Sequence, residues 1–347
     1  MELTVVIPTR DRLPILLETL ARLGRQRGDV AFEAIVVDDG STDGTRAALE
    51  REVERTPYDL TVIETPGTGP AVARNRAIDR ARAPVCLFIN DDAWPREDLL
   101  ERHRDFHRRR PEQQAALLGR MTLPPEPPPS PFMRWLADAH FDYDEIRDHA
   151  NAGGKRFFTA NVSAKTAFVQ GAGGFDESFR AAAHEDIDLG LRLEAAGMRL
   201  AYDPDAVVEH CHPKDLAMAI DHCLMVGRTL APFVERYPDR AVPLRPGLRH
   251  RVKASALTVL AALGVRTPGV QRETWRFLCH EAAREAYWSA VDRRARGEEP
   301  PAEPLRIGRT LARLASRDRD TWLPIGELTQ PAEDPAAATY AGSPGRA

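Results

Sequence analysis

The chain has little of what would mark a membrane-embedded, secreted or nucleic-acid-binding protein. No apolar run approaches the length of a membrane-spanning helix, and the N-terminus enters a strand at once, without a signal-peptide charge pattern. Its four cysteines (Cys86, Cys211, Cys223, Cys279) form no CxxC pair, and Cys86 falls inside an apolar strand. Reduced thiols and a cytoplasmic location are therefore expected. The formal net charge of -4 argues against bulk nucleic-acid binding. No GxGxxG follows the first strand, which excludes a dinucleotide-dependent oxidoreductase of the usual kind. There is no internal repeat.

What is present describes an ordinary globular chain of 347 residues, 43% hydrophobic and 29% charged, long enough for a large domain with an appended one. Charge is unevenly spread: Arg102 to Arg110 is dense in Arg and His, and basic side chains outnumber acidic ones after Lys214. Both read as solvated helix faces, with an anionic membrane surface or substrate as the sharper alternative.

The organising stretch is Val85 to Pro95. Val85 to Ile89 reads as a buried strand of a parallel sheet, and it ends in the carboxylates Asp91 and Asp92 before Pro95 turns the chain. Acidic pairs at such strand ends sit where open α/β sheets bind ligands, and their oxygens suit Mg²⁺ or Mn²⁺. Taken alone, the pair is equally a polar strand end with Asp91 as a helix cap.

Upstream, Leu3 to Pro8 predicts a first strand, followed by the loop Thr9 to Arg12 and a helix with Leu13, Leu16, Leu17, Leu20 and Leu23 on one face. Phe32 to Val37 predicts a second strand, ending in the polar turn Asp38 to Thr45; Asp59 to Glu64 predicts a third. Gly67 to Pro70 opens a helix bearing Arg74, Asn75 and Arg76. This alternation calls for a parallel sheet with right-handed crossovers, and it lines up Thr9, Asp39 and Asp91 along one edge.

A proline-rich break spans Leu123 to Pro131. Beyond it, strands are expected over Phe157 to Ala164, Leu200 to Tyr202 and Ala206 to His210, with a helix from His184 to Gly197 whose first turn is acidic. The rest is helical: Lys214 to Tyr237, Arg249 to Leu263 and Gln271 to Arg296. The resulting division is 1–122, 123–213, a helical region 214–328, and an Ala/Pro/Gly-rich tail 329–347 expected to be disordered.

In order and spacing, these motifs resemble the family 2 glycosyltransferases over roughly residues 1 to 213. The pieces are Val5-Val6-Ile7-Pro8-Thr9, Val36-Val37-Asp38-Asp39-Gly40-Ser41, Ala73-Arg74-Asn75 and Phe88-Ile89-Asn90-Asp91-Asp92. Gly174-Phe175-Asp176-Glu177, Glu185-Asp186-Ile187-Asp188-Leu189 and Val208-Glu209-His210 complete them.

The resemblance implies an α/β GT-A fold, Rossmann-like with a mostly parallel central sheet, here with a C-terminal helical extension. Residues 1–122 would be its nucleotide-sugar half and 123–213 its acceptor half. It further implies a UDP- or dTDP-type nucleotide-sugar donor, Mn²⁺ or Mg²⁺, and transfer with inversion to an acceptor that is a glycan, lipid-linked sugar, peptide or natural product. Thr9, Asp38 and Asp39 would hold the nucleobase, Arg74 would lie near base or phosphate, and Asp91 would contact ribose. Asp92 and His210 would hold the metal, with His212 competing for that place. Asp186 would be the general base and Glu185 would orient the acceptor or backbone.

Plainer readings stand beside these: turn chemistry for Asp38 and Asp39, a solvated helix arginine for Arg74, a structural histidine for His210, and helix capping for Glu185 and Asp186. Asn90 stands where the family often has aspartate and Arg76 where it has glycine. Without a span or the Gln-x-x-Arg-Trp motif of processive synthases, a single-addition enzyme is favoured. The rivals are a catalytically degenerate nucleotide-binding module and a sugar-phosphate nucleotidyltransferase; the latter needs a Gly-rich loop that Pro8 to Arg12 lacks. The C-terminal helices would pack on the catalytic domain, form a homodimer face or touch a membrane surface.

Overall fold

The computed structural model describes residues 1–126, 128–140, 143–212, 214–239, 243, 245, 247–296, 311 and 315. The tail assigned to 329–347 lies outside them. Eight strands form one sheet: β1 (Leu3–Thr9), β2 (Phe32–Asp38), β3 (Asp59–Glu64), β4 (Val85–Ile89), β5 (Ala93–Pro95), β6 (Ala115–Thr122), β7 (Asn161–Lys165) and β8 (Arg199–His210). Their spatial order is β3-β2-β1-β4-β7-β6-β8-β5. The first half is parallel, β3 on β2 on β1 on β4, as β-branched runs separated by helices require. β7 then runs antiparallel to both β4 and β6.

Helices α1 (Leu13–Leu23), α2 (Thr45–Glu52) and α3 (Pro70–Arg80) are the crossovers of this half; α4 (Leu99–Arg109) joins β5 to β6, and α5 (Pro131–His140), α6 (Thr166–Gly171) and α7 (Glu185–Ala195) follow. One core cluster runs from Leu3 through Phe88, Phe157 and Phe175 to Val208, so the segments before and after the proline-rich break share a single interior. α7 reaches that interior by close contact: a Cβ on Gly190 would lie 2.1 Å from the Gly154 carbonyl oxygen, so only glycine lets the helix seat there.

The structure departs from several sequence expectations. β5 and β6 have no counterpart among the strands expected from the sequence; Pro95 lies in the short edge strand β5, where a missing N–H costs no ladder bond. The two short strands over 200–210 are one strand, whose register with β6 shifts between Gly119 and Arg120 opposite Pro204. The strand expected from Phe157 begins at Asn161, because 157–160 turn so that the Thr159 N–H faces Asp186. Nor is the Arg/His-rich stretch a wholly solvated face: His103, Arg104 and His107 are buried, since spacing of four turns both histidines toward Ser163 of β7.

Three further helices, α8 (Leu216–Arg236), α9 (Leu248–Ala262) and α10 (Pro268–Arg294), build a second core of Leu216, Ile220, Leu224, Trp275, Leu278 and Ala282, joined by Phe132 of α5. α8 and α10 meet backbone to backbone at Gly227, where a Cβ would lie 2.1 Å from the Ala283 carbonyl oxygen. Arg236 of α8 ties this unit to the sheet domain through Asp188 at 2.7 Å and Asp176.

Candidate active site

Two clusters of buried charge stand at the C-terminal edge of the parallel strands. Thr9 closes β1, Asp91 and Asp92 follow β4, and His210 closes β8, so the topology brings together residues more than two hundred positions apart. The Thr9 hydroxyl donates to Asp91 Oδ2 at 2.8 Å. Arg12 Nη1 bridges the pair, 3.1 Å from Asp91 Oδ1 and 2.7 Å from Asp92 Oδ2. His212 Nδ1 lies 2.8 Å and His210 Nε2 3.4 Å from the same Asp92 oxygen. The other oxygen, Asp92 Oδ1, is buried without a hydrogen-bond partner.

The two neighbouring carboxyls are driven apart. Burial pushes Asp91 up to about 6, with Arg12 opposing and Asp92 adding to the rise. Burial acts on Asp92 in the same sense, but His210, His212 and Arg12 outweigh it and hold that carboxyl well below its usual range. Burial lowers His212, opposed by Asp92, which favours the neutral imidazole that a metal ligand needs. One oxygen of Asp92 and one nitrogen each of His210 and His212 lie within 4.8 Å of one another. An orphaned carboxylate oxygen beside two imidazoles is a donor set that fits a divalent ion.

The second cluster is on α3 and α7. Arg74 Nη1 donates to Glu185 Oε1 at 2.9 Å, both side chains being 4% exposed, and Nη2 reaches Asn90 Oδ1 at 3.3 Å, which links the two clusters. The arginine is therefore no solvated helix residue. Burial raises Glu185 to about 7, the Asp186 charge adds to this, and Arg74 opposes it. Asp186 is also raised, by burial first, against Arg74 and the N–H groups of Ile187 and Thr159. The amides at the start of α7 thus moderate the rise without reversing it. Asp186 Oδ1 accepts from the Ile187 N–H at 2.8 Å, and its side chain is half-buried.

Asp38 and Asp39 adjoin Thr9, the Asp39 N–H donating to the Thr9 carbonyl at 2.9 Å, but their carboxylates join neither cluster. Asp39 accepts from the Thr65 hydroxyl at 2.6 Å and from the Thr68 and Gly69 N–H groups at 2.8 Å each, so its oxygens shape the loop that starts α3. These bonds outweigh burial and hold the Asp39 carboxyl below the usual carboxylate range. Asp38 Oδ1 accepts from the Ser41 N–H at 2.9 Å and holds the following turn.

Two features escape a motif reading. Arg12 lies three residues past Thr9 in the loop at the ligand-binding edge, and that position was its only signal. His184, just before Glu185, has φ 71°, a left-handed conformation for a non-glycine residue. Its ring nitrogen hydrogen-bonds Thr229 Oγ1 of α8 at 3.0 Å, and the ring packs on Phe233. Beside the metal-capable cluster, a cavity of about 90 Å³ is walled by His210, Lys214, His222 and Cys223, with Met121 and Met133 opposite.

Residues 4–133 match the family model Glycosyl transferase family 2. The pre-mycofactocin glycosyltransferase of Mycobacterium tuberculosis is 28% identical over 263 residues, 70% of this chain and 50% of the relative. The validoxylamine A glucosyltransferase of Streptomyces hygroscopicus subsp. jinggangensis is 31% identical over 64% of this chain and 59% of the relative. The chain thus spans between half and three fifths of the length of these curated relatives. Among solved structures, S. aureus TarS in complex with UDP superposes with TM-score 0.51 at 17% identity, covering 88% of this chain and 95% of that one. The mannosyltransferase PcManGT of Pyrobaculum calidifontis, in complex with GDP-Man and Mn²⁺, gives TM-score 0.50 at 19% identity over 94% and 83%. The fold is that of these GT-A glycosyltransferases, and residues 4–133 form a domain similar to glycosyl transferase family 2.

Proposed function

We propose that the protein transfers a single sugar, with inversion, from a nucleoside-diphosphate sugar to an acceptor hydroxyl or other nucleophile. The observation that carries this reading is the orphaned Asp92 Oδ1 beside His210 and His212, one sheet edge away from the Arg74–Glu185–Asp186 cluster. A cation site and a carboxylate of raised basicity at one sheet edge, linked through Arg74 and Asn90, match what direct displacement at an anomeric carbon needs.

In this reading, Asp92, His210 and His212 would hold a divalent ion, which when bound supplies positive charge against the departing diphosphate. Two imidazoles in the donor set favour Mn²⁺ over Mg²⁺, whose preference is for oxygen alone. Asp91 and Thr9, already hydrogen-bonded, would meet the ribose and base. Asp39, spent on the loop 65–69, would act on the base mainly by shaping that loop. Asp186 takes the acceptor's proton as the acceptor oxygen bonds to C1 and the bond from C1 to the diphosphate breaks. Arg74 sets the charge on Glu185, and the pair positions the start of α7 beneath Asp186. Relatives whose structures hold UDP or GDP-Man leave uridine and guanosine donors both worth testing.

The test is a screen of UDP-, dTDP- and GDP-sugars with Mn²⁺, reading free nucleoside diphosphate and the anomeric configuration of the released or transferred sugar. Metal-dependent release with inversion supports the reading. Nucleotide binding without any turnover would favour the degenerate binding module instead.

A further inference from the structure

α9 presents two faces, and only one has a partner. Ala254 and Leu257 are 7% and 6% exposed and belong to the second core. On the opposite side, Leu248, Val252, Val259 and Leu263 are 78%, 60%, 56% and 73% exposed. At about 100° per residue these four fall within about 60° of one another, a stripe about 22 Å long. Isolated exposed leucines need no explanation, but a continuous apolar stripe on a helix whose other face is already packed does.

The charges beside the stripe say what would cover it. Arg249 lies on one flank and Arg251 on the other, both exposed, and neither has an ion-pair partner among the described residues. From Leu248 to Ala262 there is no acidic residue. A second copy laid on the same face would set these arginines against their own kind with no carboxylate to offset them. No described helix is long and apolar enough to cross a bilayer, so the stripe suits a helix lying in an interface rather than through it.

We propose that the outer face of α9 docks on an anionic lipid surface, its apolar stripe entering the headgroup boundary while Arg249 and Arg251 meet lipid phosphates. This surface lies outside both charged clusters of the candidate active site, and it does not depend on the sugar-transfer reading.

The experiment is co-sedimentation of the full chain with vesicles of phosphatidylcholine alone or mixed with phosphatidylglycerol. The wild type should bind the mixed vesicles in a salt-sensitive way and the neutral ones far more weakly. Val252→Asp with Val259→Asp, and separately Arg249→Glu with Arg251→Glu, should each weaken that binding by about tenfold or more. These positions are exposed, so unchanged thermal unfolding of both variants checks that the fold is kept. Equal binding by wild type and variants, or no wild-type binding to mixed vesicles, overturns the proposal. A wild-type dimer that Val252→Asp converts to monomer also overturns it and assigns the stripe to a second copy.

Discussion

The sheet domain and the C-terminal helices bury different things. Of the buried polar and charged residues among those described, only His250, Thr274 and Glu281 lie beyond Asp188. The first region holds Asp91, Asp92, Arg74, Glu185, His103 and His107 inside hydrogen-bonded networks; the second packs Leu216, Leu224, Trp275 and Leu278 and keeps most of its charges outside. Burying a charge is costly unless it is paired, so a region that does so repeatedly at one sheet edge is organised for chemistry. The helical region acts from the side. It bounds a cavity beside His210 and braces His184 through Thr229, but its own buried groups form no comparable cluster among the described residues.

The sharpest way to break this comparison is Asp186→Asn. It keeps size and most hydrogen bonding yet removes the lone pair that receives the proton, so turnover should fall about 10²- to 10⁴-fold with donor affinity nearly constant. Because Asp186 sits above its ordinary value, wild-type activity should rise with pH as that carboxyl loses its proton, a limb the variant lacks. Near-normal turnover in the variant would return Asp186 to a capping role.

The next effect concerns the structural histidines of the same region. Burial pushes His103 down to about 4 and His107 down to about 2. The folded state therefore binds these protons less readily than the unfolded chain, whose histidines titrate near 6.5. Their stabilising contribution is complete above that value and is lost as pH falls from about 6.5 toward 4, by roughly 3 kcal/mol for His103 alone. Denaturant melts of wild type and His103→Gln across that window should converge at low pH.

Arg12→Met tests the cation side. Its guanidinium occupies Asp92 Oδ2, so an entering divalent ion must displace or oppose it. Without nucleotide, Mn²⁺ should bind the variant about tenfold more tightly, while UDP affinity in the presence of Mn²⁺ should fall because a cation beside the proposed diphosphate site is gone. Weakening of both would mean that Arg12 merely supports the loop. The smallest effect is expected from Thr229→Val, which removes the α8 contact to His184. A roughly threefold loss of turnover with unchanged nucleotide binding is expected, in keeping with a single lost hydrogen bond.

Much of the sheet domain was legible because strand and helix periods differ and its strands end in polar clusters. Thr9, Asp91 and Asp92 could be placed from strand ends alone, since parallel strands deliver their C-terminal ends to one edge, whereas His210 entered through the family resemblance. β5 and β6 were not legible: a three-residue edge strand has no period to detect, and Ala115 to Thr122 lacks alternation because both faces are covered. Arg12 and the His184–Thr229 contact depend on tertiary approach across long sequence separations, which no local pattern records.

The central claim is that Asp92, with His210 and His212, makes nucleoside-diphosphate binding metal-dependent. Calorimetric titration of UDP and of GDP into wild type and Asp92→Asn, each with Mn²⁺ and with chelator, tests it most directly. The account predicts that Mn²⁺ tightens binding of at least one nucleotide to wild type by about tenfold or more, and that this difference vanishes in Asp92→Asn with the fold intact. Equal affinity with and without Mn²⁺ in wild type, or a metal effect that survives the substitution, would contradict it.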